Sequence, residues 1–197
     1  LYKPKFWDKK IGIISIILYP FSLIYIFLNL LNKKFSKGKE FKTRVICIGN
    51  IYLGGTGKTP ASVYLAAEFS KVGKKAVILR KYYKNHNDEY NLIKNYTKNL
   101  IISKNRVDGL KIAEKSGFDI VILDDGLQDY SIKKDLKIAC FNGSQLIGNG
   151  FVLPSGPLRE SLSALKDIKI LLINGDLDED FEKKIQSINK DIEIFYS

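Results

Sequence analysis

The sequence predicts an α/β fold: a mostly parallel sheet with helices on both faces, preceded by an N-terminal membrane-associated helix. Three observations predict it. A glycine-rich turn ending in Lys58-Thr59 stands between the apolar run Val45–Ile48 and the helix-like stretch Pro60–Ala67. A second apolar run, Ile120–Leu123, ends in Asp124-Asp125. Short apolar runs alternate with helical stretches through the rest of the chain, as in strands covered on both faces.

The first element is an uncharged run from Ile11 to Leu31, bracketed by Lys9-Lys10 and Lys33-Lys34. As a helix it measures about 31 Å, close to the hydrocarbon thickness of a bilayer. The run is too long for a signal peptide and lacks a small-residue cleavage site. Two membrane readings stay open. A spanning helix has Pro20, Ser15, Ser22 and Asn29 against it, and an interfacial helix has Trp7, Tyr19 and Tyr25 as headgroup-level aromatics. A helix buried in a protein core is the plain alternative.

Charge follows the same division. Residues 1–44 hold ten Lys/Arg against Asp8 and Glu40, whereas the whole chain carries a net +11. The excess therefore brackets the apolar run, which suits anionic headgroups. No basic stripe interleaves with stacking aromatics, so no nucleic-acid partner is expected. Residues 1–44 read as the membrane-associated segment and 45–197 as the catalytic-type domain.

In that domain strands are predicted at Val45–Ile48, Ala76–Leu79, Leu100–Ile102, Ile120–Leu123, Leu136–Phe141, Ile168–Ile173 and Glu193–Tyr196. Helices are predicted at Thr59–Val72, Arg106–Ser116 and Asp178–Asn189, with another within Asp88–Asn99. Gly73 and Gly117 follow helical stretches, where a left-handed cap is wanted. Asn142–Pro157 reads as a long glycine- and proline-containing loop, and loops of that length in a compact domain are usually functional. Cys47 and Cys140 lie in apolar runs and read as buried residues of a reducing compartment. With one histidine, His86, no structural metal is indicated.

The turn carries the chemistry. Gly54, Gly55, Thr56 and Gly57 would close backbone N–H groups around phosphate oxygens, with a helix dipole behind them. Lys58 would reach the β- and γ-phosphates and the Thr59 hydroxyl would ligate magnesium, which makes this a P-loop NTPase-like arrangement. The strict pattern has glycine where this chain has Tyr52. Asp124 and Asp125, at the end of their strand, supply the opposing carboxylates for Mg2+; adjacent carboxylates favour a cation nearby.

Taken together, Gly49-Asn50 with Gly54–Pro60, Asp124-Asp125-Gly126-Leu127-Gln128, Gly148-Asn149-Gly150 and Leu153–Glu160 resemble tetraacyldisaccharide 4'-kinase, the lipid A 4'-kinase. The resemblance runs from about Phe6 to Gly175. It implies transfer of the ATP γ-phosphoryl group to the 4'-hydroxyl of a tetraacylated glucosamine disaccharide 1-phosphate, a lipid A precursor, at the cytoplasmic face of a bacterial inner membrane. It implies Asp88, in Asn87-Asp88-Glu89-Tyr90, as the base for the sugar hydroxyl. On the residues alone, Asp88 and Glu89 also suit the first turn of a helix. It points to Arg159 as a phosphate donor and, less directly, to Arg106.

The chain departs from the family at Leu79-Arg80-Lys81-Tyr82-Tyr83, which lacks the glycines of Ser-Arg-Gly-Tyr-Gly, and at Gln128-Asp129, where Gln-His is usual. It begins at Leu1 without any methionine and reads as a fragment truncated at its C-terminus, where the family carries a further histidine. A membrane-tethered P-loop ATPase or a catalytically inactive nucleotide-binding remnant is the alternative. Leu53, at the signature-lysine position of partitioning ATPases, counts against that class. Asn189-Lys190-Asp191 has the wrong spacing for guanine recognition.

Overall fold

The computed structural model describes residues 3–8, 11–84 and 86–197, so Lys9-Lys10 of the basic bracket lie outside it. Among the described residues, five helices, α1 (Ile13–Phe35), α2 (Lys58–Lys71), α3 (Asn87–Tyr96), α4 (Arg106–Lys115) and α5 (Glu179–Ile188), accompany seven strands. The strands are β1 (Arg44–Gly49), β2 (Ala76–Lys81), β3 (Leu100–Ser103), β4 (Ile120–Asp124), β5 (Leu136–Asn142), β6 (Ile170–Asn174) and β7 (Glu193–Tyr196). Within one part of the sheet the order is β3-β2-β4-β1, and in another β6 pairs in parallel with β7. The chain divides into two compact units, one of residues 1–36, 50–56 and 139–197 and one of residues 37–49 and 57–138.

In the second unit β1, β2 and β4 are almost wholly buried, which is why each reads as an unbroken apolar run. Parallel pairing sets Ile48 beside Asp124 and Arg80 beside Asp124, so the strands' carboxyl ends are level. Helix α2 buries only the small Ser62 and Ala66. Helix α4 approaches through Gly109, where a Cβ would stand 2.4 Å from Leu79 Cδ1. Asn105 caps α4 by accepting from Val107 N. Gly73 and Gly117 take the expected left-handed conformation. Cys47 is fully buried, and that burial pushes its thiol up to about 11, so it serves as packing, not as a nucleophile.

In the first unit Phe141 packs on Phe181 with ring centroids 5.4 Å apart. Phe181 and Ile185, four residues apart, form the buried face of α5, whose N-terminus Asp178 caps through Phe181 N. The strand predicted from Ile168 begins at Ile170, because a short 3-10 helix over Leu162–Asp167 ends there and Ile168 serves as its cap.

Helix α1 runs unbroken through Pro20. Its polar residues Ser15, Ser22 and Asn29 recur every seventh position on one face. Asn149 Nδ2 donates to Ser15 Oγ (3.1 Å), Asn29 Nδ2 donates to Arg159 O (3.2 Å), and Ser22 Oγ lies 2.8 Å from both Val152 O and Ser155 Oγ. The residues that weaken a spanning helix thus hold α1 to the Asn149–Arg159 loop. Many of its apolar residues away from that face are exposed, from Tyr19 at 41% to Ile13 at 77%.

Candidate active site

Helix α2 opens directly after Gly57, whose φ of 81° only glycine adopts without strain. This aims the first N–H groups of a fourteen-residue helix at the carboxyl edge of β1, β2 and β4. Thr59 and Asp124 meet there. The Thr59 hydroxyl donates to Asp124 Oδ2 at 3.1 Å, and Lys58 Nζ lies 3.9 Å from Asp125 Oδ1. Asp124 is buried, which pushes its carboxyl above the usual range against the charge of Arg80, and its Oδ1 has no hydrogen-bond partner among the described residues. A buried acceptor left in that condition fits a hard cation.

Arg80 is a member of this site that composition and spacing did not mark. Its Nη1 donates to Asp124 Oδ2 (2.6 Å) and to Thr59 Oγ1 (3.0 Å), and its other nitrogen pairs with Glu89. An arginine directly after the apolar, buried run Ala76–Leu79 was the available signal, since a charge is buried only when paired. Glu89 was legible only as a helix-start carboxylate. Asp88, beside it in the first turn of α3, is exposed.

Behind the carboxylates lies a second layer. Asp125 has a left-handed backbone (φ 58°), held by its N–H bond to Ile48 O and by Arg106 Nη2, which donates to Asp125 O at 2.5 Å. Arg106 Nη1 reaches Asp129 Oδ2 (3.2 Å), and the half-buried Lys134 donates to the carbonyls of Leu127 and Asp129. Asp129 thus fixes the arginine that holds Asp125.

Burial works against ionisation of Asp129, but the Ser131 hydroxyl and Arg106 outweigh it and hold its carboxyl below the usual range. A lowered carboxylate stabilises the fold fully above its unfolded value of 3.8 and loses that contribution as pH falls through the lower folded value. Asp129→Asn is therefore expected to cost about 1–3 kcal/mol at neutral pH. Urea unfolding at pH 7 and at pH 3 should show the deficit shrinking at the acid end; an equal deficit at both would contradict the ion pair.

The first half of the glycine turn belongs to the other unit. The buried Asn50 donates through Nδ2 to Gly54 O (3.2 Å) and Thr56 Oγ1 (3.0 Å), bracing Gly54-Gly55-Thr56 from beneath. Leu53 N donates to Pro157 O (2.8 Å) and Arg159 N to Ile51 O (2.6 Å), so the Pro-Leu-Arg segment backs this half. Tyr52, at the departure from the strict pattern, is buried with Val152 and Leu158, with Tyr25 and Ile26 of α1 packed on them. Bulk at this position thus docks the turn. Arg159 is placed by its backbone on both sides, between Ile51 and Asn29.

A helix N-terminus with Gly57-Lys58-Thr59, faced by strand-end carboxylates, defines a P-loop nucleotide-binding protein. Comparison narrows the class. A family model described as tetraacyldisaccharide-1-P 4'-kinase matches residues 14–196, and the chain belongs to that family. It is 43% identical over 201 residues to the tetraacyldisaccharide 4'-kinase of Pelagibacter ubique, covering 98% of this chain and 62% of that protein. With the same enzyme of Ruthia magnifica identity is 35%, covering 84% of this chain and 60% of that protein. The crystal structure of the "apo" form LpxK from Aquifex aeolicus in complex with ATP superposes with a TM-score of 0.69 at 28% identity, covering 82% of this chain and 59% of that one. The chain thus spans about three-fifths of the length of these relatives.

Proposed function

We propose that this chain carries the nucleotide-handling part of an ATP-dependent kinase that phosphorylates the 4'-hydroxyl of a tetraacylated glucosamine disaccharide 1-phosphate. The observation that carries the reading is the Lys58–Thr59–Asp124–Asp125 assembly in a chain of this family. ATP is the nucleotide found with the Aquifex aeolicus relative. The reaction sits at the cytoplasmic face of the inner membrane, and the exposed apolar face of α1 with Lys33-Lys34 at its end supports contact with that surface.

Lys58 binds the β- and γ-phosphates, and the N–H groups of Gly54–Gly57 cradle them. Thr59 and Asp124, with Asp125 beside them, would hold Mg2+. When bound, the ion neutralises charge that builds on the transferring phosphoryl group. Among the described residues no group of three or more His, Cys, Asp or Glu could hold a metal. The pair Asp124 and Asp125 is enough for magnesium, which takes one or two carboxylates, water and substrate phosphates. Asp88 accepts the proton of the attacking hydroxyl; its neighbour Glu89 is tied through Arg80 to Asp124, which sets the start of α3 towards the metal ligands. Arg159 offers a planar fork to a phosphate.

The test is transfer of labelled γ-phosphate from Mg-ATP to the disaccharide 1-phosphate in detergent micelles, run on this chain and on the longest reading frame containing it. Asp88→Asn should lower turnover by roughly 10²–10⁴-fold while ATP affinity holds. Turnover near the native rate would remove Asp88 from the role of base, and absence of transfer from both proteins would remove the kinase reading.

A further inference from the structure

Arg80 stands where two cations have a claim. Its Nη1 lies 2.6 Å from Asp124 Oδ2 and 3.0 Å from Thr59 Oγ1. Thr59 and Asp124 are also the ligands assigned above to magnesium. That ion needs its oxygens at about 2.0–2.1 Å in octahedral array. A guanidinium nitrogen at hydrogen-bond distance from both oxygens fills the volume an ion bridging Thr59 Oγ1 and Asp124 Oδ2 would take, and an ion entering at the open Asp124 Oδ1 would meet the same guanidinium charge across one carboxylate. Arg80 is itself only 8% exposed and is held from its far side by Glu89, with the Tyr90 ring 6.0 Å away.

We propose that Arg80 and the divalent cation compete for Thr59 and Asp124, so that Arg80 acts as an internal counter-ion which the metal must displace. The inference rests on the assignment of Thr59 and Asp124 to the metal. Displacement leaves Arg80 a destination: Glu89 lies on α3, has a side chain 47% exposed, and already holds the guanidinium. The exchange is balanced in charge. Asp124 trades one cationic partner for another, and the pair Arg80–Glu89 persists. A bare ion gains two protein ligands and must drive out the arginine. An ion bound to nucleotide brings phosphate contacts to Lys58 and the helix N-terminus as well, so Arg80 biases the site toward metal that arrives with nucleotide. The role is one of positioning and gating.

The test measures binding of Mn2+ alone, by electron paramagnetic resonance, to the detergent-solubilised 197-residue chain. If Arg80 holds the ligands about nine-tenths of the time, Arg80→Gln should bind the ion roughly tenfold tighter than the native protein. Arg80→Lys guards against loss of the fold. It keeps the charge but offers a single point that cannot span Thr59, Asp124 and Glu89 together, so its affinity should fall between the two. Equal or weaker ion binding by both variants would overturn the competition. Asp124→Asn separates this failure from failure of the metal assignment: it should lose the ion in every background, and retention would overturn both.

Discussion

Lys58→Ala is expected to lower nucleotide-dependent phosphoryl transfer by roughly a thousandfold, the range seen when one electrostatic element of a phosphoryl-transfer site is removed. The Lys58 side chain is only 13% exposed and ends 3.9 Å from Asp125 Oδ1, so its charge is placed and partly desolvated before any phosphate arrives. Removing it takes away the contact to the β- and γ-phosphates. It also leaves Asp124 and Asp125 as adjacent negative groups facing an incoming polyanion. Both effects act on the transition state more than on the fold, so thermal stability should change little. Lys58→Arg should not restore activity, because a planar fork cannot take the place of a compact ammonium at the mouth of a helix. Single-turnover transfer measured beside ATP affinity checks this. A rate within a few-fold of native would mean that Lys58 is structural, and the assignment of the glycine turn to phosphate would fall with it.

The fold was legible because its signals are local. Continuous apolar runs gave β1, β2 and β4, and their length and spacing gave a parallel sheet. Lys58, Thr59, Asp124 and Asp125 were legible for a related reason: each sits at a junction of strand and helix, where sequence position and spatial position coincide. Arg80 and Glu89 were not, and Arg106 and Asp129 stood out only through the resemblance, because their contacts depend on register and on side chains from other elements. The register that sets Arg80 beside Asp124 is fixed by pairing of β2 with β4, forty-four residues apart. Spacing alone gives no sign of that. Ser15, Ser22 and Asn29 illustrate the opposite error. Read by hydropathy they are flaws in an apolar helix; read by heptad spacing they form one face, and that face is where the Asn149–Arg159 loop binds.

That loop also bears on how α1 meets a membrane. Ser15 to Asn29 spans about 21 Å of helix, and irregular backbone is bonded along that whole length. In a spanning orientation the loop, with Ser155, would lie inside hydrocarbon, where irregular backbone is tolerated only when shielded by protein. An in-plane helix avoids the cost: its polar face holds the loop and its apolar face enters the headgroup boundary. Paired Ile17→Asp and Ile24→Asp substitutions, both on exposed positions, should therefore lower binding to anionic phospholipid vesicles by about two orders of magnitude or more. Each removes about 1.5–3 kcal/mol of apolar burial. Lys33→Gln with Lys34→Gln should cost less and only on anionic vesicles, about 1 kcal/mol per lysine. Ser22→Val should act differently, leaving vesicle affinity near native while loosening α1 from Val152 and Ser155, with about 1–3 kcal/mol lost from unfolding stability. Vesicle sedimentation and denaturant titration read the two effects separately. If the aspartate pair leaves sedimentation unchanged, the exposed face of α1 is not the membrane contact; if Ser22→Val abolishes it, the helix contacts lipid through the face now assigned to the loop.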